Sequence, residues 1–543
     1  MRTFIAKHRA AIFIGIILAY LYFRGIGDHG LIDNVEGVNA SVAAHMFGGE
    51  NYFVPKIGEA LTAGSTLGTW WLMAVALKFF NWGEFSVRFF SALAGLGMIL
   101  ISALLARTNL EPETDLETEE ADTENKISPR RLWLGASVCA AMTGCFIVSQ
   151  LASSHALFAF FTSLALFGVI RSQEDEDYLM LAHTAIALAF IAHGPAGFFM
   201  PLLAVSFYCV LSNDMELLKD FFTWPFGILI NIFLSGLYLV LLMIMNPQVI
   251  FFMFCRGHDY TFGGILGTII FLFVSFAPFH GFLLQALIEI FPRHYPTEKS
   301  PEFLMLVWAI TFTGYAIFSA DVLAIAAAMP ALSAILAIRL DFWLRGKLFP
   351  VRYAVLLNIL ILVPAFFILL PLTTNYFPVI KNSLMSLVPY EITLALFIFA
   401  CWYYTKTRQI EKWVRNVLAA ALLCLMPAAG VFNLTADLYS VGEIGKKIRE
   451  NVQANDIVIQ YGVNFPSIYF YTFRNSRLIN APLTLGVQEK NFVENVSFIA
   501  DKWPRRERIF LIVPSDRTAE AKIPNRNVLH MLEDNNILLL SNQ

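Results

Sequence analysis

Charged residues are scarce in this sequence. Asp, Glu, Lys and Arg make up 15% of its 543 residues, whereas 57% of the residues are hydrophobic. A soluble globular domain carries about 25% charged residues, so the composition excludes an ordinary soluble protein and places most of the chain in lipid. The formal net charge of −3 leaves no basic excess, and we therefore expect no nucleic-acid partner.

Cysteine is also scarce, and its distribution excludes two kinds of site. The six cysteines all lie in or beside apolar runs, and none follows Cys424. A disulfide framework is therefore excluded in the C-terminal part of the chain, and no metal-type cysteine spacing occurs. A small-residue cleavage site is missing after the apolar stretch at residues 10–23, which favours a retained first helix over a removed signal peptide.

Long apolar runs fill residues 1–434 and predict an all-α polytopic membrane domain. A spanning helix needs about 20 apolar residues, and the pattern predicts thirteen such helices. They are expected at about 8–25, 88–107, 132–150, 152–171, 178–193, 195–212, 222–245, 263–284, 302–319, 321–339, 351–371, 388–405 and 415–433. Lys and Arg cluster in alternate loops, which predicts a cytoplasmic N-terminus and an external C-terminus.

Residues 67–82 test this count of helices. The segment is apolar but short, is flanked by tryptophan and contains Lys78. Counting it as a span would move every later loop to the opposite side of the membrane, and Lys and Arg would no longer concentrate on one side. We therefore interpret it as an amphipathic helix lying in the membrane interface. It belongs to a long first outer loop, residues 26–87, and a loop of that length usually has a function. A second outer loop is expected at residues 246–262.

Residues 435–543 are expected to form a small extracytoplasmic α/β domain. Residues 440–451 predict a helix, and apolar runs at 456–462, 467–473, 508–514 and 536–542 predict strands. The sequence contains no nucleotide-binding loop there. A structural or acceptor-contacting role is therefore favoured for this domain.

Asp33 and Glu36 are the first candidates for catalysis. They lie in the first outer loop and are three residues apart, so on a helix they share a face. Two such carboxylates can serve as a general base and its orienting partner. The alternative is an ordinary helix start, with Asp33 as the N-cap and Glu36 in its capping box.

Charged side chains among aromatic residues form a second candidate group. Arg256, His258 and Asp259 lie in the expected second outer loop. An arginine at the membrane surface suits a phosphate, because its planar fork pairs two phosphate oxygens. The alternative is snorkelling to the interface, or a local ion pair of Arg256 with Asp259.

His193 precedes Gly194 and Pro195 at the expected outer end of a helical hairpin. There it can contact a substrate headgroup, although a single histidine at such a place is more often structural. His155 and Asp321, near other helix ends, are weaker candidates of the same kind. No His, Asp or Glu cluster has the sequence spacing of metal ligands, so we predict no metal site and no cofactor, while dependence on a divalent metal stays open.

Four local patterns, taken together, resemble the GT-C membrane glycosyltransferases. GEFSVRFFSALAGLGM at 83–98 is similar to the family's G-x-x-E-F-x-x-R-x-x-S-A-L segment, and AHGPAGFFMP at 192–201 to its T-K-G-P hairpin. FFMFCRGHDY at 251–260 occupies the place of an aromatic–His–Arg loop, and residues 315–337 that of a late S-x-x-K helix. The likeness covers nearly the whole chain, specifically to the ArnT-like and protein O-mannosyltransferase-like bacterial branch.

The resemblance implies a bacterial inner-membrane enzyme. It would move a sugar, by an inverting transfer, from a polyprenyl-phosphate donor in the membrane lipid to a glycolipid, polysaccharide or protein acceptor of the envelope. Asp33 or Glu36 would act as the base or orient the acceptor. The residues implied in binding substrate are Arg256, His258, His193, Arg88, Glu84 and Asp259.

The sequence also departs from the family pattern at charged positions. The family's Asp-Glu pair matches Val35-Glu36, so Asp33 takes the place of the acid only through a shift of register. His155 stands where an Asp is expected, and His193 stands where a Lys is expected. The alternative is therefore a catalytically silent relative that binds lipid-linked sugar or serves as an assembly partner. A transporter is a weaker alternative, because the sequence shows no internal repeat.

Overall fold

The computed structural model describes the larger part of the chain. The described residues are 14–108 without 50–51, 58–59 and 62–65; 129–245; 262–290; 300–345; 351–376; 395–403; 414–423; 439–481 without 454; 508–521; 527–532; 536–542; and the isolated positions 247, 250, 392, 425, 430, 433, 436, 499 and 502–503. The statements below concern these residues.

The described part of the chain is mostly helical, as the sequence predicts. The helices are α1 (Ile14–Phe23), α2 (Val38–Phe47), α3 (Leu67–Phe79), α4 (Glu84–Ala106), α5 (Pro129–Ala141), α6 (Thr143–Ser149), α7 (His155–Ser172), α8 (Tyr178–His193), α9 (Pro195–Ser212), α10 (Met215–Thr223), α11 (Pro225–Met245), α12 (Phe262–Ser275), α13 (His280–Ile290), α14 (Pro301–Phe318), α15 (Met329–Leu344), α16 (Val351–Tyr376), α17 (Val414–Leu423), α18 (Gly442–Asn451) and α19 (Ser467–Thr472). A π turn, Asp33–Gly37, leads into α2, and a 3-10 turn, Val322–Ala328, leads into α15.

The long apolar helices make the chain a multi-pass membrane protein. Six helical segments among the described residues are long and apolar enough to cross a membrane, and up to eight if each of two bent pairs, α5 with α6 and α12 with α13, is one span. Each of the thirteen predicted spans contains a helix, including the short stretch at 395–403. The all-α polytopic fold predicted from hydropathy is therefore confirmed.

The segment between α1 and α4, hereafter the first loop, is ordered around α3. This helix has 13 residues and is about 20 Å long, too short for a hydrocarbon core of about 30 Å. Trp70 Nε1 donates to Asn39 Oδ1 of α2 at 2.9 Å, and Thr69 Oγ1 donates to the carbonyl of Ala192 in α8 at 2.8 Å. The length of α3 fits the prediction that residues 67–82 do not span.

The first loop contains a small hairpin of β1 (Lys56–Ile57) and β2 (Ala60–Leu61). The C-terminal part contains a separate five-stranded sheet of β3 (Ile457–Tyr461), β4 (Ser476–Ile479), β5 (Ile509–Pro514), β6 (Asn527–Leu532) and β7 (Ile537–Ser541). The strand order is β4-β3-β5-β7-β6. β3 pairs in parallel with β4 and β5, whereas β7 pairs antiparallel with β5 and β6. Hydrophobic clusters cover both faces of the central strands, which explains their continuous apolar sequence.

One predicted strand is wrong, and two strands were not predicted. Residues 467–473 were expected to be extended, but Ser467–Thr472 form α19, which ends at Phe473 in a left-handed conformation (φ 54°). A short aromatic run does not distinguish a buried helix turn from a strand. β4 and β6 escaped prediction because their sequences, SRLI and NVLHML, carry polar residues and no clear alternation.

Candidate functional site

A buried ion pair fixes the first loop to α4. Arg88 donates from Nε to Glu36 Oε1 at 2.7 Å and from Nη2 to Oε2 at 2.6 Å, and both side chains are fully buried. The remaining donors of Arg88 reach the carbonyls of Ile26, His29 and Gly30 at 2.8–2.9 Å. The bidentate pair and these three carbonyl contacts therefore hold the chain between α1 and α2 in one conformation against α4.

The carboxylate of Glu36 also accepts two backbone N–H groups. Ile32 donates to Oε2 at 2.9 Å, and Ala152, just before α7, donates to Oε1 at 2.6 Å. Burial by itself would raise the pKa of Glu36, but Arg88 and these hydrogen bonds lower it below its ordinary value. Each oxygen already accepts two hydrogen bonds, so the geometry gives Glu36 a positioning role and leaves Asp33 as the candidate base.

Asp33 lies at the start of the π turn and faces the C-terminal part of the chain. It is not the helix N-cap of the alternative interpretation, since that position belongs to Ile32 and carries no side-chain cap. The Asp33 carboxyl accepts from the Ser467 N–H and from the Ser467 hydroxyl, each at 2.9 Å. Burial raises the pKa of Asp33 to about 7, although hydrogen bonds from Ser467 and from the Val441 backbone act to lower it.

Glu84 forms a second contact between the helical bundle and the C-terminal part. It accepts from Lys446 Nζ at 2.8 Å and from the Tyr471 hydroxyl at 3.3 Å, and this hydroxyl in turn accepts from the Leu31 N–H at 3.0 Å. The predicted substrate-binding residues Glu84 and Arg88 are therefore both engaged inside the protein. Their substrate-binding role stays a prediction.

Helix α19 is the element that docks on the first loop. The Ser41 hydroxyl donates to the Pro466 carbonyl at 2.7 Å and accepts from the Phe470 N–H at 3.2 Å. The ring of Trp82 stacks on Phe470 with a centroid distance of 5.0 Å. Asp33 is therefore covered by a packed surface as well as by the hydrogen bonds of Ser467.

We expect the stability of this contact to depend on pH through Asp33. The folded state holds the Asp33 proton more tightly than the unfolded chain, because burial raises its pKa from 3.8 to about 7. The contribution of Asp33 to the free energy of unfolding should therefore be highest below about pH 4. It should fall by about 4 kcal/mol in total between about pH 4 and 7 and stay level at higher pH. Melting temperatures in detergent from pH 5 to 8 measure this slope.

Asp33→Asn is the control for that slope, because the amide is neutral at every pH. Its melting temperature should exceed that of the unchanged protein most clearly at pH 8, and its decline between pH 5 and 7 should be shallower. Equal slopes for the two proteins would show that Asp33 does not titrate in this window.

A separate polar cluster lies where three helix ends meet. His155 begins α7, His193 ends α8 and Asp321 follows α14. His155 Nε2 lies 2.9 Å from Asp321 Oδ1, and His193 Nε2 lies 3.8 Å from Asp321 Oδ2. His193 thus has a partner, Asp321, that the sequence did not predict.

The remaining predicted residues, Arg256, His258 and Asp259, lie outside the described residues. Sequence reasoning missed Ser467, Tyr471 and Lys446, the partners that the C-terminal part supplies to the first loop. No sequence signal identifies them, because each bond joins positions several hundred residues apart.

Solved structures that are similar to this chain include two crystal structures of one protein, and the similarity covers nearly the full length. The crystal structures of ArnT from Cupriavidus metallidurans superpose on the chain with TM-scores of 0.80 for the apo state and 0.79 for the state bound to undecaprenyl phosphate. The superpositions cover 99% and 98% of this chain and 98% of each ArnT chain, at 16% and 15% sequence identity.

Sequence comparison is less informative. No family model matches the chain. An uncharacterized protein of Aquifex aeolicus (strain VF5) is 27% identical over 219 residues, which are 40% of this chain and 40% of that protein. The structural match, by contrast, covers nearly the whole of both chains, and the chain has the fold of ArnT.

Proposed function

We propose that this protein is a membrane glycosyltransferase that moves a sugar from a polyprenyl-phosphate donor to a lipid, polysaccharide or protein acceptor of the cell envelope. The observation that carries the proposal is the superposition on ArnT over nearly the full length of both chains. One of the matched ArnT structures is bound to undecaprenyl phosphate, which is the product that a polyprenyl-phosphate donor leaves behind.

In this proposal Asp33 is the general base. A base works best when its pKa lies near the working pH, and burial raises the pKa of Asp33 to about 7. The hydroxyl of Ser467 donates to Asp33 Oδ2 at 2.9 Å, which is the contact that an acceptor hydroxyl needs with its base. We therefore place the acceptor hydroxyl where the Ser467 hydroxyl now donates, which requires this side chain to turn away from Asp33 while α19 stays docked and keeps Asp33 buried.

The proposed transfer forms one bond at the anomeric carbon of the sugar and breaks another. The acceptor hydroxyl gives its proton to the Asp33 carboxylate, and its oxygen forms a bond to the anomeric carbon of the sugar. The bond between that carbon and the phosphate oxygen breaks, and polyprenyl phosphate leaves as an anion. Such an anion is stabilised by cations placed at the leaving oxygen. Arg256 and His258 are the residues proposed for that contact, with Asp259 beside them, and His193 is proposed for the donor headgroup.

The proposal includes an orientation in a bacterial inner membrane. The Lys and Arg bias of the loops supports a cytoplasmic N-terminus and a C-terminal sheet on the outer side. The first loop, Asp33 and α19 would then face the side on which envelope acceptors are exposed.

The test is release of undecaprenyl phosphate by the purified protein. Proteoliposomes are given a panel of undecaprenyl-phosphate sugars and an envelope extract as acceptor, and mass spectrometry follows undecaprenyl phosphate and the glycosylated product. The proposal expects equal amounts of both for at least one donor. Hydrolysis or release that occurs equally in protein-free liposomes would count against it.

A second candidate, a catalytically silent relative that binds lipid-linked sugar, is favoured by one observation. Both first-loop carboxylates are already occupied: Glu36 by Arg88 and two backbone N–H groups, and Asp33 by Ser467. Under this candidate, native mass spectrometry would detect bound donor that stays intact across the whole panel. Conversion of any bound donor to undecaprenyl phosphate and product would exclude it.

A further inference from the structure

The His155, His193 and Asp321 cluster has the composition of a metal site. Among the described residues it is the only group of three or more His, Cys, Asp or Glu side chains close enough to share an ion, with one possible ligand atom of each residue within 4.8 Å of the others. Two imidazoles and a carboxylate are a donor set that suits divalent first-row transition metals.

The distances within the cluster fit ligands around an ion. The Nε2 atoms of His155 and His193 face different oxygens of Asp321 at 2.9 and 3.8 Å. Ligand bonds of about 2.0–2.2 Å place neighbouring ligand atoms about 3–3.5 Å apart in tetrahedral or octahedral geometry. The ligand atoms of the three residues, which lie within 4.8 Å of one another, would have to draw together to these separations around an ion.

The orientation of His193 is fixed from its other side. Its Nδ1 lies 2.8 Å from the Ser154 hydroxyl, and its ring stacks on Phe158 with a centroid distance of 4.3 Å. A hydrogen bond at Nδ1 is the usual way in which a protein selects the tautomer that presents Nε2 to a metal. Ser154 therefore holds the ring of His193 so that Nε2 faces Asp321.

The turn that ends α14 positions Asp321. Ala320 has φ of +52°, its N–H donates to the Ile317 carbonyl at 3.3 Å, and the Asp321 N–H donates to the Ala316 carbonyl at 3.0 Å. A left-handed residue with these two hydrogen bonds is a common end of a helix. Asp321 therefore follows α14 directly and at a fixed place, next to the two histidines.

The cluster also has an open side. The side chains of His155 and Asp321 are each 16% exposed, and that of His193 is 5% exposed. Three protein ligands with one accessible position are typical of reactive zinc sites, whereas structural sites are closed by four. With neutral imidazoles and an ionised carboxylate, a dication would leave a net charge of +1 there, which suits an oxygen anion as the further ligand.

We propose that His155, His193 and Asp321 bind one divalent transition-metal ion, of the Zn²⁺ type, with an open position for an oxygen ligand. The site stands on its own geometry and does not depend on the transferase proposal.

The test measures metal binding directly. Purified protein is stripped with a chelator and titrated with Zn²⁺ and Co²⁺, and elemental analysis counts the ions retained after desalting. We expect about one equivalent per chain. His155→Gln, His193→Gln and Asp321→Asn should each weaken binding by more than about 100-fold, and Ser154→Ala by about 10-fold.

His530→Gln is the matched control. His530 also contacts a carboxylate, Glu443 at 3.3 Å, but it has no third ligand among the described residues, so its loss should leave binding unchanged. Absence of stoichiometric binding, or equal affinity in the three ligand variants, would overturn the proposal. If a variant does not fold, the X-ray absorption spectrum of the zinc-loaded unchanged protein decides: two imidazole ligands support the site, and none excludes it.

Discussion

Arg88→Met should lower the free energy of unfolding by about 3–5 kcal/mol, because it leaves the Glu36 carboxylate buried without its counter-ion. Both side chains are fully buried, and Arg88 also holds the carbonyls of Ile26, His29 and Gly30. Glu36→Gln should cost a similar amount, since it leaves the guanidinium uncompensated. Thermal and denaturant unfolding of the detergent-solubilised protein measures both effects.

Arg171→Met is the control for this prediction. Arg171 pairs with Glu174 at 2.5 Å, but its side chain is 31% exposed and that of Glu174 is 47% exposed, and exposed pairs contribute about 0–1 kcal/mol. A loss of stability in Arg88→Met no larger than that in Arg171→Met would show that the buried pair does not hold the first loop.

Asp33→Asn should reduce the rate of sugar transfer by about 10²–10⁴-fold, the usual contribution of a positioned general base. The amide cannot take the acceptor proton, but it keeps the shape of the side chain and one acceptor oxygen for Ser467. The protein should therefore fold and bind donor. Initial rates of undecaprenyl phosphate release, normalised to bound donor, measure the loss.

Ser467→Ala separates catalysis by Asp33 from docking of α19. The variant removes one hydrogen bond that lowers the pKa of Asp33 in the resting protein, so transfer should persist while the fall of stability with pH moves to higher pH. A transfer rate in Asp33→Asn equal to that of the unchanged protein would remove Asp33 from the role of base. A rate abolished in both variants would instead indicate that the contact with Ser467 itself is required.

Hydropathy was sufficient to predict the helical bundle. Each of the thirteen predicted spans contains a helix, while the place of α3 in the membrane interface stays a prediction. These features follow from local composition, because a helix in lipid must satisfy its own backbone and cover itself with apolar side chains. The prediction of a strand at α19 failed because the apolar run there is only a few residues long.

The candidate site was only partly predictable, because its contacts are long-range. The sequence selected Asp33 and Glu36 as a pair with related roles. In the structure they face different partners: Glu36 faces Arg88, 52 residues away, and Asp33 faces Ser467, 434 residues away. The spacing of three residues predicted a shared helix face, whereas the two side chains contact different partners.

The metal-type cluster illustrates the same limit. His155 and Asp321 are separated by 166 residues, so sequence spacing showed no ligand set. Each residue was a weak candidate by itself, and only the meeting of α7, α8 and α14 brings the two imidazoles to one carboxylate.

The pH dependence of a single turnover shows whether Asp33 is the general base. Proteoliposomes loaded with a donor that is accepted are mixed with acceptor between pH 5.5 and 8.5, and the rate of undecaprenyl phosphate formation is followed. We expect a rate that rises with pH through about 7 and then levels off, as Asp33 loses its proton, while the stability of the protein falls over the same range. A rate that is independent of pH in this range, or that Asp33→Asn leaves unchanged, would contradict the assignment of Asp33 as the base.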